Sequence, residues 1–217
     1  MSPYHHSSPG ALIAELVDAL EPVRPMRVSH GVGWVFAGLG VTMAGVVLLF
    51  GIRPDLAAGR FDPVFLLATG LYLLLGLASA ATVIDMGRPR VGVVHDGWIW
   101  AAAMTALLPA TAVVGYGGAS AAFSAPAVEH GLSCLMAGCA LAVLTFAILV
   151  WWLRRGAPTS PERAGLLTGI AAGCFGISAF SLYCDYGDIV HIGLWHSSVV
   201  VLCAAVGRLA VPRLVRW

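Results

Sequence analysis

The sequence predicts an all-α fold: a polytopic membrane protein built as a six-transmembrane-helix bundle, preceded by a short cytoplasmic amphipathic helix. Three observations predict it. Of 217 residues, 59% are hydrophobic and 11% charged, with a mean hydropathy of +0.88, against about 45–50% apolar and about 25% charged in an average soluble domain. A chain of this size cannot hide that much apolar surface in its own interior, so lipid must solvate most of it. Second, about six apolar runs are long enough to cross a hydrocarbon layer about 30 Å thick, which takes roughly 20 helical residues. Third, all 12 basic residues are arginines, grouped between the apolar runs.

Residues 1–31 read as a cytoplasmic segment and 32–217 as the membrane domain. In the segment, Ser8-Pro9-Gly10 offers a cap with proline at the first helical position, so a helix is expected over about 10–21. Leu12, Ile13, Leu16, Val17 and Leu20 share one face, and Glu15, Asp18 and Glu21 lie away from its centre. A helix resting on a lipid surface normally carries a basic polar face. This one is acidic, so docking into a groove of a cytosolic protein explains it better than folding back on the bundle. It does not read as a removable signal peptide, because acidic residues precede the first apolar run and no cleavage pattern follows it.

The spans are expected near 32–52, 63–84, 97–116, 134–153, 165–184 and 190–211. The connectors between them carry helix stops and turn signals: Arg53-Pro54-Asp55, Met86-Gly87-Arg88-Pro89-Arg90, the small-residue stretch 117–128, Arg154-Arg155-Gly156-Ala157-Pro158, and Asp185-Tyr186-Gly187-Asp188. Pro109 inside the third run predicts a local kink. Small residues within the spans, such as Gly169-Ile170-Ala171-Ala172-Gly173, predict close helix packing.

Arginine counts set the expected orientation, since basic loops stay cytoplasmic. With the N-terminus inside, the inner loops and termini hold Arg24, Arg27, Arg88, Arg90, Arg154, Arg155, Arg163, Arg208, Arg213 and Arg216, and the outer loops hold Arg53 and Arg60 alone. Ten against two, with an even number of spans, puts both termini in the cytoplasm.

Chemistry is sparse. The span interiors hold almost no ionisable residues, which disfavours a transporter or a membrane enzyme. No HExxH, phosphate loop, dinucleotide fingerprint or histidine pair for haem occurs, and a net charge of +1 leaves no nucleic-acid footprint. No enzyme activity and no resident cofactor are expected. Five scattered cysteines are too few for a disulfide framework.

One surface is the exception. The outer ends of the fourth and fifth spans carry Cys134 and Cys184, surrounded by Glu129, His130, Asp185, Asp188 and His191. Two thiols meeting outside the cytoplasm can oxidise to a disulfide. With imidazoles nearby they can instead bind a transient ion such as Cu(I), Zn(II) or Cd(II), with Cys134, Cys184, His130 and His191 as candidate ligands. The opposing reading, small apolar packing residues, stays open for this pair, and it is the expected role of the deeper Cys139, Cys174 and Cys203. Trp195 reads as an interface anchor. His196 either faces the cysteine pair or bonds a backbone carbonyl.

Taken in order along the chain, Leu12 to Arg27, Arg53-Pro54-Asp55-Leu56, Cys134-Leu135, Trp152 to Thr159 with Ala164-Gly165, Tyr183-Cys184, Trp195-His196 and Arg216-Trp217 resemble the NrsF-type anti-sigma factors, negative regulators of sigma F. The resemblance runs from about residue 12 to the C-terminus. It implies a six-helix protein of a Gram-negative inner membrane that holds an extracytoplasmic-function sigma factor inactive at its cytoplasmic face. It implies further that the N-terminal segment is the contact, here Leu12, Ile13, Leu16, Val17, Leu20, Arg24 and Arg27, and that Cys134 and Cys184 face the periplasm and sense heavy-metal or oxidative stress. The rival expectation is a membrane redox or metal-binding protein that uses the same periplasmic Cys and His residues.

Overall fold

The computed structural model describes residues 9–19, 26–88, 96–115 and 124–215, and every regular element among them is helical. In chain order these are α1 (Pro9–Asp18), α2 (Val28–Leu49), α3 (Pro54–Ala57), α4 (Pro63–Met86), α5 (Gly97–Thr105), α6 (Leu107–Gly115), α7 (Ala125–Arg154), α8 (Pro161–Phe180), α9 (Ile189–His191) and α10 (Ser197–Leu214). A π-helical turn, Ile192–His196, joins α9 to α10. Five helices are long and apolar enough to cross a membrane: α2, α4, α7, α8 and the continuous Ile189–Leu214.

The third expected span, 97–116, is two nine-residue helices, α5 and α6. Pro109 explains the break. It has no N–H to offer the carbonyl four residues earlier, and its ring crowds that carbonyl; the residue four earlier is Thr105, where α5 ends. The other boundaries shift for local reasons. α4 starts at Pro63 because the Asp62 side chain accepts hydrogen bonds from the N–H groups of Val64 and Phe65 at 2.7 and 3.1 Å. α7 starts at Ala125, nine residues ahead of the expected 134, so His130 and Cys134 lie on one continuous helix. α8 closes at Phe180, which leaves Cys184 in the connector beyond it.

α8 is the axis of the bundle. It is the least hydropathic of the five long helices, 1.4 against 1.9–2.4, and the most enclosed, with 89% of its spanning window buried against 22–44%. This inversion is what lipid demands. Large aliphatic side chains gain nothing by leaving hydrocarbon, so they face outward, and small residues line the helix contacts where backbones can meet. A Cβ on Gly169 would lie 2.0 Å from the Cys203 carbonyl oxygen, and one on Gly207 would lie 2.3 Å from the Gly165 carbonyl oxygen. α8 and α10 therefore touch backbone to backbone.

The long helices alternate in direction except α4 and α7, which run the same way, and the bundle has two distinct ends. One collects the C-terminus of α2, α3, the N-termini of α4 and α7, the C-terminus of α8, and α9. The other collects the start of α2 and the ends of α4, α7 and α10, with Arg27, Arg88, Arg154, Arg155, Arg163, Arg208 and Arg213 around it. α1 has no buried residue, and Leu12, Ile13, Leu16 and Val17 are 50–60% exposed. Leu20 and Arg24 lie outside the described residues.

Gly169→Ala should weaken the bundle by about 1–3 kcal/mol, the usual cost of overpacking. Gly45→Ala, which meets nothing within 4 Å, should be neutral or stabilise by up to about 1 kcal/mol through helix propensity. Denaturant midpoints in detergent check the contrast; equal midpoints would remove α8 from the axis.

Candidate functional site

The expected cysteine pair converges. Cys134 lies in α7, and Cys184 is folded back on the C-terminus of α8 by a hydrogen bond from its N–H to the Phe180 carbonyl at 3.0 Å. Both side chains are buried, and their sulfurs are 3.7 Å apart.

The connector after α2 fastens this corner. The Arg53 N–H donates to the Leu182 carbonyl at 2.9 Å, its Nη1 to the Cys184 carbonyl at 3.0 Å, and its Nε to Asp55 Oδ1 at 2.6 Å. The guanidinium also sits 4.7 Å from the centre of the Phe65 ring. Arg53 is only 6% exposed, a position a cation tolerates only when paired and hydrogen-bonded. Its hydrogen bond holds the Asp55 carboxyl below the ordinary carboxylate value. The pair's contribution is therefore present above that ordinary value and is lost as pH falls through the lowered one.

Two histidines complete the cluster. Asp188 accepts from the N–H groups of Val190 and His191 at 3.0 and 2.9 Å, opening α9 so that His191 is its last residue. His191 Nε2 then lies 3.4 Å from Cys134 Sγ and 3.8 Å from Cys184 Sγ. On a regular α-helix a residue five positions on would point about 140° away. The π turn closes its hydrogen bonds over one residue more, and it brings the His191 and His196 rings edge to face at 5.3 Å. Tyr72, buried in α4, supports the turn: its hydroxyl is 2.8 Å from Ser197 Oγ and donates to the Ile192 carbonyl at 3.3 Å. Trp195 is half-buried and lies flat against Gly131 of α7, where a Cβ would come within 2.0 Å of the indole.

The result is a group of four buried side chains, Cys134, Cys184, His191 and His196, whose ligand atoms all lie within 4.8 Å of one another. Of the two readings left open for His196, the one facing the cysteines holds. His130 stays outside this group. It sits one helical turn before Cys134 on the exposed rim of α7, with its ring 4.4 Å from Tyr186. Together with Asp185 it lines a cleft of about 430 Å³ that leads to both sulfurs. Asp188 acts as the α9 cap and Glu129 is exposed. Cys139, Cys174 and Cys203 pack in or against the hydrophobic core. Tyr72 and Arg53 were not among the expected site residues. A tyrosine in mid-span and an arginine in an arginine-poor connector were the available signals.

At the opposite end, a second cleft of about 590 Å³ lies between Arg27, His30, Trp34, Trp151 and Arg155. Arg155 stacks 4.0 Å over Trp151, which meets Trp34 edge-on at 5.9 Å.

The family model described as "Negative regulator of sigma F", NrsF, matches residues 16–217. The chain is 31% identical over 219 residues to the anti-sigma-F factor NrsF of Caulobacter vibrioides, covering 95% of this chain and 96% of that protein. It is 27% identical over 203 residues to the probable anti-sigma-F factor NrsF of Azospira oryzae, covering 90% and 91%. No solved structure matches.

A thiol oxidant such as diamide should convert Cys134 and Cys184 into an intramolecular disulfide, because the sulfurs need only close from 3.7 Å to about 2.05 Å. Loss of two titratable thiols without dimer formation, abolished by either serine substitution, is the expected result. Arg53→Ala, which frees the Cys184 turn, should slow the reaction.

Proposed function

We propose, on the premise that this chain belongs to the NrsF family of negative regulators of sigma F, that it tethers an extracytoplasmic-function sigma factor to the bacterial inner membrane and releases it on periplasmic stress. The observation that carries this reading is the separation of two devices. The adjacent thiols of Cys134 and Cys184 sit at one end of the bundle, and the arginine-rich end lies opposite, where the chain leads from α1 into α2. The excess of arginine at that second end supports its being cytoplasmic, with both termini inside. Counting α5 and α6 together as the third crossing gives the six spans that this topology needs.

In the resting state, Leu12, Ile13, Leu16, Val17 and Leu20 dock into an apolar groove of the sigma factor, and Arg24 and Arg27 hold the segment close to the membrane. The exposed apolar side chains of α1 support that role, since none of Leu12, Ile13, Leu16 and Val17 is buried among the described residues. Two routes of release fit the thiols. A two-electron oxidant takes two electrons and the two thiol protons and leaves an S–S bond, or a soft metal displaces the protons. Either links α7 to the connector after α8. To matter at the other end, the linked and unlinked bundles must differ in sigma affinity, by about 1–3 kcal/mol at ordinary allosteric magnitudes.

Leu16→Asp places a charge at the centre of the apolar stripe. It should abolish co-purification of the sigma factor while the protein still accumulates in the membrane; retained co-purification would move the contact elsewhere. A Cys134→Ser/Cys184→Ser double variant should keep the sigma factor bound and no longer respond to oxidant or cadmium in a promoter-reporter strain. An unchanged response would remove the cysteines from sensing.

A further inference from the structure

We propose that Cys134, Cys184, His191 and His196 form one tetrahedral site for a divalent d10 cation of the Zn(II) or Cd(II) class. The inference deepens the sensing reading above and rests on it for its biological meaning, but its chemistry stands on geometry alone.

Zn–S bonds of about 2.3 Å and Zn–N bonds of about 2.0–2.1 Å, set at tetrahedral angles, imply ligand separations of about 3.8 Å between sulfurs and about 3.6 Å between sulfur and nitrogen. The observed separations are 3.7 Å between the sulfurs, and 3.4 and 3.8 Å from the sulfurs to His191 Nε2. Three edges of the polyhedron are thus already drawn. His196 supplies the fourth corner. It is 3% exposed, its Nε2 has no hydrogen-bond partner among the described residues, and all four ligand atoms fall within 4.8 Å. A buried imidazole nitrogen without a partner is costly unless something binds it.

Charge supports a divalent occupant. Binding releases one proton from each thiol, and two thiolates with two neutral imidazoles then balance the ion, so the filled site is neutral. That suits an enclosed, apolar setting where an uncompensated charge is expensive. The neighbouring cation, Arg53, is balanced by Asp55. The cleft bordered by Cys134, Cys184, His130 and Asp185 gives the ion a way in. Once bound, it ties together α7, the connector after α8, and the π turn, three segments that only hydrogen bonds and packing otherwise hold together.

The test uses the full-length protein in lipid nanodiscs, reduced and titrated with Co(II) as a spectroscopic probe and with Cd(II). One metal per chain is expected, with the intense ligand-field absorption of tetrahedral Co(II). His191→Ala and His196→Ala should each weaken Cd(II) binding by about 100-fold or more, at or beyond what losing a ligand's supporting partner costs, and should abolish that absorption. His196→Cys should restore binding and add thiolate charge-transfer intensity. Diamide crosslinking of Cys134 to Cys184 in each histidine variant reports whether the corner is still folded. Binding below one metal per chain, an octahedral Co(II) spectrum, or unchanged Cd(II) affinity in His196→Ala overturns the site. So does failure of His196→Cys to recover metal where His196→Ala has lost it. The two readings fail separately: tight tetrahedral binding with no effect on sigma release sinks sensing and keeps the site, and oxidant-driven release without metal binding does the reverse.

Discussion

Backbone contact between α8 and α10 is the constraint on which the remaining geometry depends. Hydrocarbon gives helices no hydrophobic reason to associate, so they must be held by close van der Waals contact, and that needs surfaces without side chains. Glycines on α8 and α10 meet carbonyl oxygens of the facing helix at distances that no Cβ could occupy. With the two helices locked, the relative positions of the connector that ends α8 and the turn that begins α10 are set. Cys184 stands on the first, and His191 and His196 stand on the second. α7 packs against both α8 and α10, with Gly176 against the Gly138 carbonyl and Gly138 against Val199, and brings Cys134 to the same corner.

Polar devices at this corner refine what the packing brings together. A buried arginine ties the α2–α4 connector to the main chain at Leu182 and Cys184. A buried tyrosine reaches the carbonyl of Ile192 inside the π turn. Each would be expensive in an apolar setting without its partners, and among the described residues each has them. The exception is His196 Nε2, a buried polar atom with no hydrogen-bond partner among the described residues.

The same rigidity shapes how a signal could travel. A change that draws α7 toward the connector after α8 acts at one end of the bundle, and α8 itself leaves little room to deform because glycine backbone lines its contact with α10. Motion would pass as a small tilt or shift of whole helices rather than as a side-chain relay. At the far end, Trp34 and Trp151 lie at the start of α2 and the end of α7, beside Arg27, where the chain leads back toward α1.

The membrane class, the helical composition, most span positions and the pairing of Cys134 with Cys184 were legible in the amino-acid sequence, because hydropathy and antiparallel alternation depend only on the order of residues along the chain. The family was legible too, from short motifs in a fixed order. Pro109 announced a kink in the third span, although not that α5 and α6 would be separate helices. What only the tertiary structure decided was which imidazoles face the thiols. His130, one turn from Cys134, was a natural choice by spacing and stands at the rim. His196, five residues from His191, is out of phase on an α-helix and enters only through the π turn. That turn depends on a residue inserted into the ladder and on Tyr72, about 120 residues away in sequence. Helical periodicity is a local property and reads from the sequence; a register shift held by a distant side chain is not.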